Sequence, residues 1–99
     1  MGLRRDEQTD ELFRSILSLQ NLDECYGYFE DLCTNKEVKD MSQRLTIAKL
    51  LEEGYSYLQA AEKLGVSSAT IGRVKRCLDY GDGGYRMILG RLKAEKNDE

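Results

Sequence analysis

Ten consecutive residues combine short or hydroxylated side chains with cations: Ser67, Ser68, Ala69, Thr70 and Gly72, then Arg73, Lys75 and Arg76. That mixture suits a polyanion with readable edges. Guanidinium and ammonium groups neutralise phosphates, while small side chains at a helix start let it approach base edges in a major groove. The first amides of such a helix, aided by its dipole, and the hydroxyls of Ser67 and Ser68 can meet a phosphate oxygen.

Other chemistry has little to work with. The chain has no histidine, which removes the commonest general acid or base and the usual activator of a Ser or Cys nucleophile. Cys25, Cys33 and Cys77 are odd in number and lack Cys-x-x-Cys spacing. They are expected as reduced, mostly buried thiols rather than as a disulfide or metal site. The carboxylates fall on helix faces, where solvated charge is the default. No catalytic residue, metal ligand or resident cofactor is expected, and an enzyme is excluded on these grounds.

The cationic stretch needs elements to position it, and the pattern from Tyr57 to Leu78 supplies them as a helix-turn-helix. Ala61 is expected to be small because the second helix crosses it. Gly65 can take the positive φ of the tight turn, and Ser67 can cap the second helix. Val66, Ile71 and Val74 are expected to face Leu58 and Leu64 of the first helix. Ser68, Ala69, Thr70, Gly72, Arg73 and Arg76 then lie outward.

Around this motif the periodicity predicts only helices. Leu12, Phe13, Ile16, Leu17 and Leu19 give one over about 8–20. Leu22, Tyr26, Phe29 and Cys33 share a face of a second, capped by Asn21 or Asp23. Thr34 with Glu37 forms a capping box that opens a third helix, running to about Glu53 and stopped by Gly54. Its apolar residues, from Val38 and Met41 to Leu50 and Leu51, cover over half the circumference, so it must be buried on several sides or shared between subunits. Gly81, Gly83 and Gly84 form a turn before a last helix from Tyr85 to about Lys93.

At 99 residues the chain fits one domain, 1–99, containing the helix-turn-helix at 57–78. A domain this small buries only about 60–65% of its unfolded surface. No apolar run is long enough for a membrane span and the N-terminus lacks a secretion signal, so a cytoplasmic protein is expected. Met1-Gly2 fails the myristoylation pattern because residue 6 is Asp6. The net charge of −3 disguises a strong asymmetry: residues 1–62 carry 7 basic and 13 acidic side chains, whereas 63–96 carry 8 and 3. Positive charge is concentrated where a nucleic acid could use it.

Met41-Ser42-Gln43-Arg44-Leu45, Ala69-Thr70-Ile71-Gly72-Arg73-Val74 and Arg76-Cys77-Leu78-Asp79-Tyr80-Gly81 together resemble the Trp-repressor-related YerC/YecD family, within the Trp repressor superfamily. The resemblance runs from about Leu12 to Leu92. It implies an all-α, six-helix fold in an intertwined homodimer, with the helix-turn-helix motifs at its outer ends. The two second helices would lie about 34 Å apart and read a near-palindromic operator.

By the same resemblance, Thr34, Arg44 and Arg73 fall where the repressor holds its corepressor, implying an amino-acid-like effector. Two features depart from the repressor: Val74 replaces a glycine beside the ligand, and the segment from Gly54 to Gly65 is one residue shorter. Tryptophan itself is therefore not carried over. Arg44 has a second reading, as the ion-pair partner of Asp40 or another acid. The function implied is a sequence-specific, dimeric transcription regulator, acting as a repressor under effector control. The alternatives are a protein-interaction module built on the same motif, or a DNA-binding domain like that of the chromosomal replication initiator. The latter normally belongs to a larger ATPase, and no Gly-x-x-x-x-Gly-Lys loop occurs here.

Overall fold

The structure is a computed structural model that describes residues 2–97. Six helices follow one another among the described residues: α1 (Glu7–Leu17), α2 (Leu22–Leu32), α3 (Asn35–Glu52), α4 (Tyr57–Leu64), α5 (Ser68–Tyr80) and α6 (Gly84–Asn97). The chain divides into two compact units, Met1–Val38 and Lys39–Glu99, and α3 runs through the boundary.

Local hydrogen bonds define the helices of the first unit. Asp6 caps α1 by accepting from the Thr9 amide at 2.8 Å, and Asn21 caps α2 by accepting from the Glu24 amide at 2.9 Å. α1 ends at Leu17, short of residue 20. The Ser18 hydroxyl turns back to the Ser15 carbonyl, while the Gln20 amide donates to the Glu24 carboxylate at 2.9 Å. The hydroxyls of Ser15 and Tyr28, 2.6 Å apart, tie α1 to α2.

Thr34 and Glu37 complete the expected capping box at the start of α3. The Thr34 amide donates to the Glu37 carboxylate at 2.8 Å, and the Glu37 amide donates to the Thr34 hydroxyl at 3.1 Å. No described residue of this unit is buried. Leu17, Leu22 and Tyr26 are 82%, 75% and 77% exposed. The apolar face of α2 is present, but it lines an open groove with Leu22, Cys25, Tyr26, Phe29 and Val38.

The core lies in the second unit. α3 supplies Ile47, Ala48 and Leu50, α4 supplies Ala60, and α5 supplies Ile71, Val74 and Leu78. α6 closes against it through Tyr85 and Leu89, and Arg86 Nε donates to the Glu52 carboxylate at 2.8 Å. α5 runs two residues beyond Leu78 and stops at Gly81. A Cβ there would collide with the Cys77 carbonyl, so only glycine fits this turn without a shift. α6 extends past Lys93 because Ala94, Glu95 and Lys96 continue to favour helix. The thiols differ from expectation: Cys25 and Cys33 are half-buried and Cys77 is exposed, all three free. No described helix is long and apolar enough to cross a membrane.

Candidate nucleic-acid interface

Ser56 starts α4 with a capping box. Its hydroxyl accepts from the Gln59 amide at 3.2 Å, and its own amide donates to the Gln59 side chain at 2.9 Å. Gly65 ends the helix in the left-handed region, φ 66° and ψ 35°, donating to the Ala61 carbonyl at 2.8 Å. A side chain with a Cβ is strained in that conformation, which explains the glycine. Two residues later Ser67 caps α5, accepting from the Thr70 amide at 3.3 Å.

The packing between α4 and α5 follows the expected motif with one correction. Ala60 is fully buried and Ala61 packs against the same core. Leu58 is 68% exposed and stays outside the core.

Ile71, Val74 and Leu78 fix the buried side of α5. At about 100° per residue, the opposite side carries Ala69, Arg73, Arg76 and Tyr80 in one outward stripe. All four are exposed. Arg73 and Arg76 make no hydrogen bond or ion pair among the described residues, leaving both guanidiniums available. Tyr80, 86% exposed, was not singled out from sequence, although its spacing of four from Arg76 places it on the stripe.

The other candidate residues lie beside this stripe. Ser67 and Ser68 are exposed at the helix start, where the first amides have no partner within the helix. The Ser67 hydroxyl is partly engaged, lying 3.1 Å from that of Thr70 as well as capping its amide. Thr70 and Gly72 are half-buried, and a Cβ on Gly72 would stand 3.4 Å from the Tyr57 hydroxyl. Lys75 is also half-buried and holds Asp79 at 3.2 Å, on the flank of the helix.

Of the candidate effector residues, Arg44 and Arg73 belong to the second unit and both act on Tyr85. Burial pushes the Tyr85 phenol above its ordinary value, the Cys77 thiol adds to that, and the two guanidiniums pull it down. Arg44 is half-buried. Thr34 belongs to the first unit and is engaged in the α3 cap.

The architecture and motif define an all-helical protein of the helix-turn-helix class. The model of the Trp repressor protein family matches residues 7–93, and the chain belongs to this family, one of DNA-binding regulators rather than enzymes. It is 48% identical over 94 residues to the uncharacterized protein YerC of Bacillus subtilis (strain 168), covering 95% of this chain and 90% of that one. Two solved structures match at 48% identity over 90% of this chain. A candidate Trp repressor from Staphylococcus aureus has a TM-score of 0.87 with 89% of it covered. A TrpR-like protein from Eubacterium eligens ATCC 27750 has a TM-score of 0.86 with 92% covered.

Proposed function

We propose that the chain is a sequence-specific transcription repressor that acts in the cytoplasm, as a homodimer on a near-palindromic operator, by occluding the DNA it covers. The observation that carries this reading is the outward stripe of α5. A small residue stands at its N-terminal end, and two arginines with no internal partner follow at one-turn intervals opposite a fully packed face. An α-helix of this kind fits a major groove, with Ala69 close to base edges and the arginines on bases or phosphates. Ser68 and the opening amides of α5 supply further phosphate contacts.

The dimer is argued from the first unit. Leu12, Phe13, Leu17, Leu22 and Tyr26 are all exposed. Covering such side chains gains roughly 25 cal/mol per Å² of apolar surface removed from water. A second copy presenting the same surface would supply the core this unit lacks.

Mobility shifts on genomic fragments across a range of salt concentrations test the reading. Binding should weaken steeply with salt, and Arg73→Ala with Arg76→Ala should abolish it while the helical circular dichroism is retained. Each phosphate that a variant no longer neutralises should lower the salt slope by about 0.9. Salt-insensitive binding, or unchanged binding by the double variant, would remove α5 from the interface.

A further inference from the structure

Tyr80 is the most exposed of the large apolar and aromatic side chains described, at 86%, and it makes no hydrogen bond or ring contact among the described residues. It is the last residue of α5. The chain leaves the helix immediately after it, where the Gly81 amide donates to the Cys77 carbonyl at 2.9 Å. The backbone under Tyr80 is therefore set, while its side chain stands almost wholly in solvent.

Its place on α5 is as informative as its exposure. Opposite the buried side that Ile71, Val74 and Leu78 define, Tyr80 shares the outward stripe with Ala69, Arg73 and Arg76. It stands eleven positions after Ala69, which at about 1.5 Å per residue is about 16 Å along the helix axis. The major groove of B-DNA is only about 12 Å wide. With the start of α5 on base edges, Tyr80 lies past the bases, level with the sugar-phosphate wall.

The surroundings decide which donor works there. Asp79, held by Lys75 at 3.2 Å, and the exposed Asp82 flank Tyr80 in the chain, and the end of α5 carries the negative pole of its dipole. A cation at this position would be drawn to those carboxylates. A phenol is not, and its long, rigid side chain carries an O–H donor clear of the helix end.

We infer that Tyr80 is a further DNA contact, whose phenolic O–H donates to a phosphate oxygen at the edge of the groove and fixes the far end of α5 against the backbone. This rests on the DNA-binding reading above and adds to it a residue that carries no charge. Such a contact positions the helix without reading sequence, because every base pair hangs from the same phosphates.

The test compares the full chain with Tyr80→Phe and Tyr80→Ala, in mobility shifts at several salt concentrations on the duplex that the full chain selects from a random pool. With Tyr80 in solvent, both variants should keep the circular dichroism and melting temperature of the unaltered chain. Tyr80→Phe, which removes only the hydroxyl, should bind about fivefold or more weakly, the loss expected for one hydrogen bond to a charged acceptor. Its salt slope should equal that of the unaltered chain, whereas loss of a phosphate-neutralising cation lowers the slope by about 0.9. Ethylation of single phosphates should reveal a position that interferes with binding by the unaltered chain and no longer does so with Tyr80→Phe.

A smaller loss for Tyr80→Phe overturns the inference, even where Tyr80→Ala is weaker, because the ring and not the hydroxyl would then make the contact. Selection of a different sequence by Tyr80→Phe also overturns it, since a phosphate contact weakens all sequences alike. In either case salt-sensitive binding by the unaltered chain leaves the DNA-binding reading standing. No salt-sensitive DNA binding by the unaltered chain would overturn that reading and this inference with it.

Discussion

Arg73, Lys75 and Arg76 are three cations within four positions, yet their surroundings give them different tasks. Lys75 is held by Asp79 at 3.2 Å on the flank of α5, whereas both arginines project from its outer side without a partner among the described residues. The Lys75–Asp79 pair, on the surface of one helix, contributes little to stability, about 0.3–0.5 kcal/mol as an i, i+4 pair. It nevertheless offsets part of the charge Lys75 can offer a phosphate. Lys75→Ala should therefore weaken DNA binding less than Arg73→Ala, as dissociation constants measured at one salt concentration will show. Gly65 and Ser67 were legible in the sequence because turn and cap chemistry are local. Leu58 and Tyr80 were not, because helical phase is fixed by what packs on the other side.

The capping boxes carry the clearest message at the level of elements. Thr34 with Glu37 opens α3, and Ser56 with Gln59 opens α4; each satisfies two backbone donors that a helix start otherwise leaves open. The hydrogen bonds from Thr34 hold the Glu37 carboxyl below its ordinary value of 4.5. A carboxyl whose folded value is depressed contributes stability above its unfolded value, and that contribution is lost as pH falls through the folded value. Acid should therefore begin to erode the α3 start below about pH 4.5, where an unfolded glutamate takes up its proton. Glu37→Gln, which cannot ionise, should lose less stability across the same acid range in thermal melts by circular dichroism. The box was readable from Thr-x-x-Glu alone. The early end of α1 was not, because it depends on Gln20 being recruited to a carboxylate four residues ahead.

On the scale of the whole molecule, burial is distributed unevenly. Every buried apolar residue described lies between Ile47 and Leu78, while the first unit exposes leucines and aromatic rings that a water-soluble chain normally covers. Sequence periodicity correctly placed apolar faces on α1, α2 and α3, but periodicity does not say whether a face meets the same chain or another. A second copy would cover this surface. Light scattering at micromolar concentration should give twice the chain mass of 11.3 kDa, and Tyr26→Asp should shift the protein toward the monomer. A monomeric mass for the unaltered chain would contradict the dimer.

Pairing two copies of α5 would also fix the geometry of the DNA. Recognition helices one turn of B-DNA apart read half-sites whose centres are about 10 base pairs apart. The most direct test of the central claim is to let the full chain select binders from a pool of random duplexes, then sequence the retained DNA. The expected result is enrichment of a near-palindrome with that half-site spacing, bound progressively more weakly as salt rises. Recovery of no common sequence, or retention insensitive to salt, would contradict the claim that α5 reads DNA.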